Sequence, residues 1–274
     1  MKFISIFSIL LLICFFAISD VIAADRESAD ELYVKSGLEK QMQGIGPALL
    51  AGYQNNYRNS KKHTARDEKI YQNIGKVIES SFDTQVMRET VLNGIVENIS
   101  ENDMNVILAW LSSSVGKKIT ELEEMAGSKK GMDETQKFIR NIKKTSITKK
   151  RIRLIKELNA AMNITATTVD ITLSTQFALS MTTKQAKGKL SRDSILKLYE
   201  DFKKDMVQIE PMVEHQVHGS LLYTYQPLAD EELEQFVAFV KSKSGKNYTS
   251  VTSSFLTQAI IEGSLQFASD ISQF

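Results

Sequence analysis

Cysteine occurs once in the 274 residues, at Cys14, and proline three times, at Pro47, Pro211 and Pro227. Both scarcities exclude something. Cys14 lies in an apolar run, Phe3 to Ile18, that follows Lys2 and ends in small residues, the layout of a secretory signal peptide over residues 1–23. Cutting after Ala23, with Ala24 as the alternative, leaves a mature chain with no thiol, and that rules out disulfides, cysteine nucleophiles and thiolate metal sites. Ile13, directly before Cys14, is not the small residue a lipid-anchor site needs. The expected location is exported, in the periplasm. Rare proline leaves long stretches without helix breakers, and apolar residues recur at three- and four-residue intervals, so the expected fold is all-α.

An excess of charge is also missing. Lys and Arg total 34 against 33 Asp and Glu, a net charge of +1, so there is no global field to attract nucleic acid. The best candidate for a later membrane span, Leu158 to Met181, carries Asn159, Asn163, Asp170 and many threonines, which is too polar to cross a bilayer. No Gly-rich phosphate loop, G-x-S-x-G elbow or paired carboxylates stand out. Neither a cofactor nor an enzymatic role is expected.

What is present is a repeat. "AWLSSSVGKKITELEEM", from Ala109, returns as "AFVKSKSGKNYTSVTSSF", from Ala238. Laying Gly116 on Gly245 sets an offset of 129 (245 minus 116), and Met104, Ile107, Leu108 and Leu111 then fall on Leu233, Phe236, Val237 and Val240. Those four positions trace one buried helix face. Trp110 falls on Phe239, and Ser113, Gly116, Lys117 and Thr120 are identical to Ser242, Gly245, Lys246 and Thr249. Upstream, an offset of 120 (152 minus 32) lays Leu38 on Leu158 and Met42 on Met162. The chain is therefore expected to be a helical bundle of two divergent repeats, residues 24–146 and 147–274. Expected helices run from Ser28 to Asn56 (bent at Gly44–Pro47), Asp133 to Thr145, Lys149 to Thr183 and Arg192 to Tyr223, among others. N-caps are expected at Asp83, Ser100, Ser113, Thr148, Ser191 and Ser242.

Ser113 and Ser242 sit where one apolar helix ends and another begins, and a serine there caps the new helix for about 1 kcal/mol. Gly116 and Gly245 are then third in that helix, where glycine costs roughly 0.8–1 kcal/mol relative to alanine. Close helix packing must offset that cost, with Thr120 and Thr249 continuing the narrow face one turn on. Lys117 and Lys246 are not preceded by a phosphate-cradling loop, so the pattern reads as a structural corner.

"MNVILAWLSSSVGKKITELEE" and "DEELEQFVAFVKSKSGKNYTSV" resemble the two helical signatures of a bacterial exported domain-of-unknown-function family, number two thousand fifty-nine in that series. Its members show an acidic-apolar helix, an aromatic, then Ser-Pro-x-Gly-Lys/Arg and a second helix. This chain departs from them with Ser114 and Lys243 in the proline place, and with Ala229 where a capping hydroxyl is expected. The resemblance implies an exported helical fold and carries over no catalytic residue.

Two segments carry candidate chemistry. Glu210, Glu214 and His218 are successively four apart, on one helix face, where they are candidate metal ligands if a second helix completes the set. A solvated polar face is the plainer reading, and His63 and His215 add nothing to the set. From Lys137 to Lys156 there is no acid; Lys143, Lys144, Lys149, Lys150 and Arg151 form a basic face that either solvates a connector or docks peripherally on an anionic surface. The expected function is that of a non-enzymatic exported protein binding a protein or envelope component.

Overall fold

The computed structural model describes residues 24–59, 65–181, 191–205 and 207–271. The leader segment, His63 and Phe274 lie outside the described residues. The elements are helical, with no strand among the described residues: α1 (Arg26–Lys35), α2 (Leu38–Asn59), α3 (Ala65–Ser81), α4 (Thr84–Asn98), α5 (Glu101–Ser112), α6 (Ser114–Gly127), α7 (Lys129–Asn141), α8 (Lys149–Met162), α9 (Ile164–Met181), α10 (Arg192–Asp205), α11 (Glu210–Thr224), α12 (Asp230–Lys241) and α13 (Lys243–Ile271). No described helix is long and apolar enough to cross a membrane.

The six expected N-caps are all present: the side chains of Asp83, Ser100, Ser113, Thr148, Ser191 and Ser242 each accept a backbone N–H from the first turn that follows. Long helices read from periodicity are divided further. α1 ends at Gly37, whose φ of +76° is the left-handed conformation that closes a helix, and α2 runs unbroken through Pro47. Asn163 does the same between α8 and α9 with φ of 53°. Its neighbour Asn159 braces the break by accepting the Thr165 N–H at 3.0 Å. α11 starts separately at Glu210 with Pro211 in its first turn, where the missing N–H costs nothing. α7 begins at Lys129, earlier than the expected Asp133, because Ser128 caps it. The offset of 120 does not fit these boundaries: Leu38 opens α2, whereas Leu158 lies inside α8.

One hydrophobic core runs through both segments, with Leu32, Ile107, Leu158 and Leu233 all fully buried in it. A smaller cluster of Phe177, Met181, Ile195, Tyr199 and Ala268 seats α10 on α9 and α13. α13 is the spine, packing along α9 and α4 and across α3, α5 and α12.

The two Ser-x-x-Gly corners have the same construction. Ser113 Oγ accepts the Gly116 N–H at 3.0 Å, and Ser242 Oγ accepts the Gly245 N–H at 3.0 Å. A β-carbon on Gly116 would overlap the Trp110 carbonyl oxygen, and one on Gly245 would overlap that of Phe239. The close approach is thus to the last turn of the preceding helix. A third corner has the same spacing: Ser128 caps Gly131 at 3.0 Å, a β-carbon there would overlap the Met125 carbonyl, and Thr135 donates back to Gly131. Thr120 and Thr249 differ in use, since Thr120 Oγ1 donates to the Lys35 carbonyl at 3.3 Å while Thr249 is buried on α13.

The corners bring α5–α6 against α12–α13. Trp110 and Phe239, the residues that the 129 offset pairs, stack with centroids 4.5 Å apart and planes 10° apart. Lys118 donates to Glu232 at 2.7 Å, and at the corresponding positions Asn247 reaches Asp103 at 3.5 Å. Glu232 also accepts the Ala229 N–H at 2.7 Å, half of a capping box in which Ala229 supplies no oxygen of its own.

Gly116→Ala, Gly131→Ala and Gly245→Ala each should lower the urea midpoint, by about 1–3 kcal/mol of overpacking. Gly52→Ala, whose β-carbon meets nothing within 4 Å, should instead hold or raise it. Equal midpoints in all four variants would remove the steric account of the corners.

Candidate functional site

Glu214 and His218 lie 4.0 Å apart on α11, but His218 Nε2 is directed to the Asn159 amide at 3.3 Å. Among the described residues no three His, Cys, Asp or Glu side chains gather as a metal site. The helical spacing that suggested Glu210, Glu214 and His218 finds no second helix to complete the set.

Part of the basic segment is committed to the chain itself. Arg151 is a half-buried clamp, its side chain 16% exposed. Its Nη1 donates to the Tyr225 carbonyl at 2.8 Å and its Nη2 to the Leu228 carbonyl at 2.6 Å, while Nε and Nη2 both reach Asp230. It thereby holds two carbonyls of the turn between α11 and α12 and ties α8 to the start of α12. Lys150 faces Glu234 at 3.1 Å and Glu231 at 3.7 Å, and those carboxylates hold its ammonium above the usual lysine range. Two of the five basic candidates therefore face the acidic start of α12 and not an outside surface. Lys143, Lys144 and Lys149 are exposed.

A site that spacing could not reveal lies under the aromatic stack. Glu123 on α6 accepts the Tyr225 hydroxyl at 2.6 Å. Tyr225 sets its edge on Phe236 with centroids 5.7 Å apart, and Tyr248 approaches from α13 beside Phe239. Burial pushes the Glu123 carboxyl up to about 7, opposed in part by the Tyr225 hydrogen bond. The Tyr225 and Tyr248 hydroxyls are held far above the ordinary phenol range, first by burial and then by the Glu123 charge. Glu123 nevertheless keeps a partly open edge to solvent. A second phenol–carboxylate pair, Tyr223 with Glu134 at 2.7 Å, sits closer to the surface and joins α11 to α7.

Concavities open along α9, α11 and α13. The cleft between α9 and α11, about 570 Å³, has walls of Ile164, Met212, Val213, Val217 and Leu221 with Thr168 and Thr172 at its side, and no charged residue lines it. The groove between α9 and α13, about 710 Å³, is lined mostly by polar side chains including Thr167, Asp170, Lys246 and Ser253. The third, about 520 Å³, lies between the α3–α4 corner, α10 and α13. The α9–α11 cleft is the best candidate for binding, because Met212 stands 64% exposed in it and a concentrated apolar exposure of this kind marks ligand or partner sites.

Glu123 gives a pH dependence with a definite sign. Its proton is retained to about pH 7 when folded but lost near 4.3 when unfolded. Between those values the folded state binds more protons, so stability is highest below the lower value and falls as pH rises through 7. The loss is on the order of 3 kcal/mol for a fully enclosed group and smaller for one with an open edge. Glu123→Gln should flatten the urea midpoint between pH 5 and 8, measured at roughly unit intervals; an unchanged slope would refute this. Arg151→Lys should cost about 1.5–3 kcal/mol through the lost carbonyl bonds, with Lys150→Met staying near the parent in the same unfolding experiment.

No protein-family model, no curated protein and no solved structure matches the chain. The likeness to the exported helical family rests on its two signatures alone.

Proposed function

We propose that the protein is an exported, non-enzymatic binding protein built from two divergent copies of one helical repeat, and that it holds an apolar part of a protein or envelope component in the α9–α11 cleft. Support for the two copies comes from the left-handed residues Gly37 and Asn163, which are 126 apart (163 minus 37). At that offset Ala29 and Leu32 fall on Ile155 and Leu158, and Met87, Val91 and Ile95 fall on Val213, Val217 and Leu221, all buried. The loop before α12 is longer than the one before α5, which accounts for the change to 129 beyond it.

The observation that carries the binding role is what the halves do differently. Met42 on α2 is fully buried where α2 packs on α4. Its counterpart on α9 is Thr168, whose short side chain lines the open cleft beside α11. An apolar slot filled in one half is left vacant in the other, beside Met212, which is 64% exposed. An open cleft with apolar walls is suited to an apolar occupant.

Thr168→Met should fill the slot. An environment-sensitive apolar dye that brightens with the parent protein should lose that signal in Thr168→Met and in Met212→Glu, while the unfolding midpoint of Thr168→Met holds or rises. Undiminished dye binding in both variants would overturn the role of the cleft. For export, the intact mass of protein recovered from the periplasm should begin at Ala24 or Asp25; a mass retaining residues 1–23 would overturn it.

A further inference from the structure

We propose that the cleft between α4, α10 and α13 is a second binding site, and that its ligand is a single-chain amphiphile with a zwitterionic head group. The proposal does not depend on the α9–α11 cleft. Val86 is 66% exposed and Leu196 is 37% exposed, and both converge on this one concavity of about 520 Å³. Large apolar side chains left in water within a single cleft mark a surface that something apolar covers.

The walls are built to stay apart. A β-carbon on Gly263 would lie 2.8 Å from the Ser81 carbonyl oxygen and 2.8 Å from the Phe82 ring, so α13 rests directly on the end of α3. Ile195 is buried in the cluster with Phe177 and Tyr199, which seats α10 and leaves Leu196 at the cleft. The opening is therefore set by fixed backbone, as in preformed ligand sites.

Its polar groups ask for two charges on the ligand. Arg192 and Glu262 both line the cleft, yet among the described residues they form no ion pair with each other or with any other side chain. Among the described residues Glu262 accepts only an amide N–H from Gln258, at 2.9 Å. Arg192 is the first residue of α10, at the positive end of that helix, with Asp193 next to it in the same turn. Ser81, also lining the cleft, is nine-tenths buried and its hydroxyl has no hydrogen-bond partner among the described residues, an unusual state for a buried polar group. The guanidinium and the helix end suit an anionic group, the carboxylate suits an adjoining cation, and the apolar wall suits a hydrocarbon chain.

The α4 wall also has a counterpart. At the offset of 126, Val86, Met87 and Thr90 correspond to Met212, Val213 and Gln216, which line the α9–α11 cleft. Both halves thus present an apolar ledge on the first turn of equivalent helices. Only the α4 ledge has charges beside it, so selection by head group belongs to this cleft.

Titrating the full mature chain with dodecylphosphocholine below its micelle concentration, followed by calorimetry, should show one saturable site. Arg192→Gln and Glu262→Gln should each weaken it by about tenfold, and Val86→Glu and Leu196→Gln should abolish it with circular dichroism unchanged. Thr168→Met should leave it intact. Dodecyl maltoside, with the same chain and no charge, should bind at least about tenfold more weakly. Absence of saturable binding, equal affinity for the maltoside, indifference to Arg192→Gln and Glu262→Gln, or loss in Thr168→Met would each overturn the proposal.

Discussion

A β-carbon at residue 116 or 245 would occupy the space of the carbonyl oxygen at residue 110 or 239, and the centre of the molecule is arranged around its absence. Because glycine permits the approach, α6 leaves α5, and α13 leaves α12, while still touching the turn just ended. The serine cap makes the direction definite by holding the first N–H groups of the new helix. With both corners set, Trp110 meets Phe239, and the acid at 103 or 232 meets the side chain at 247 or 118 across the same joint. One polar joint and one aromatic stack follow from two missing methyl groups.

Charge is then used inward. Arg151 bonds two carbonyls of the turn before α12 and pairs with Asp230, so a residue that looks like part of a cationic face is a tie between α8 and α12. Glu123 shows the reverse economy: a carboxyl placed among Tyr225, Tyr248 and the stacked rings keeps its proton to about 7, because the enclosed charge would be costlier than the neutral acid. Together they make the joint between α6, α8, α11 and α12 specific in geometry and, through Glu123, sensitive to pH.

Against this closed centre the clefts are places where packing stops. Thr168 leaves space unfilled beside α11, and the seating of α10 through Ile195 leaves Leu196 lining the same cleft as Val86. Helices anchored by distant contacts cannot collapse onto a short side chain, so volume removed at such points stays open.

Sequence alone determined the helical class, the six N-caps and the two corners, because each of these depends on neighbours within one or two turns. It also contained the Ser128–Gly131–Thr135 corner, at the same spacing as the other two. Helix breaks at Gly37 and Asn163 were harder to read, since periodicity continues through a single left-handed residue. What only the tertiary structure decided are relations between groups far apart in the chain: Glu123 with Tyr225, Arg151 with two backbone carbonyls, Met42 buried where α2 meets α4, Thr168 left open beside α11. Local pattern specifies which face of a helix is apolar. Which second helix covers that face, and where the cover falls short, is set by how all the helices pack at once.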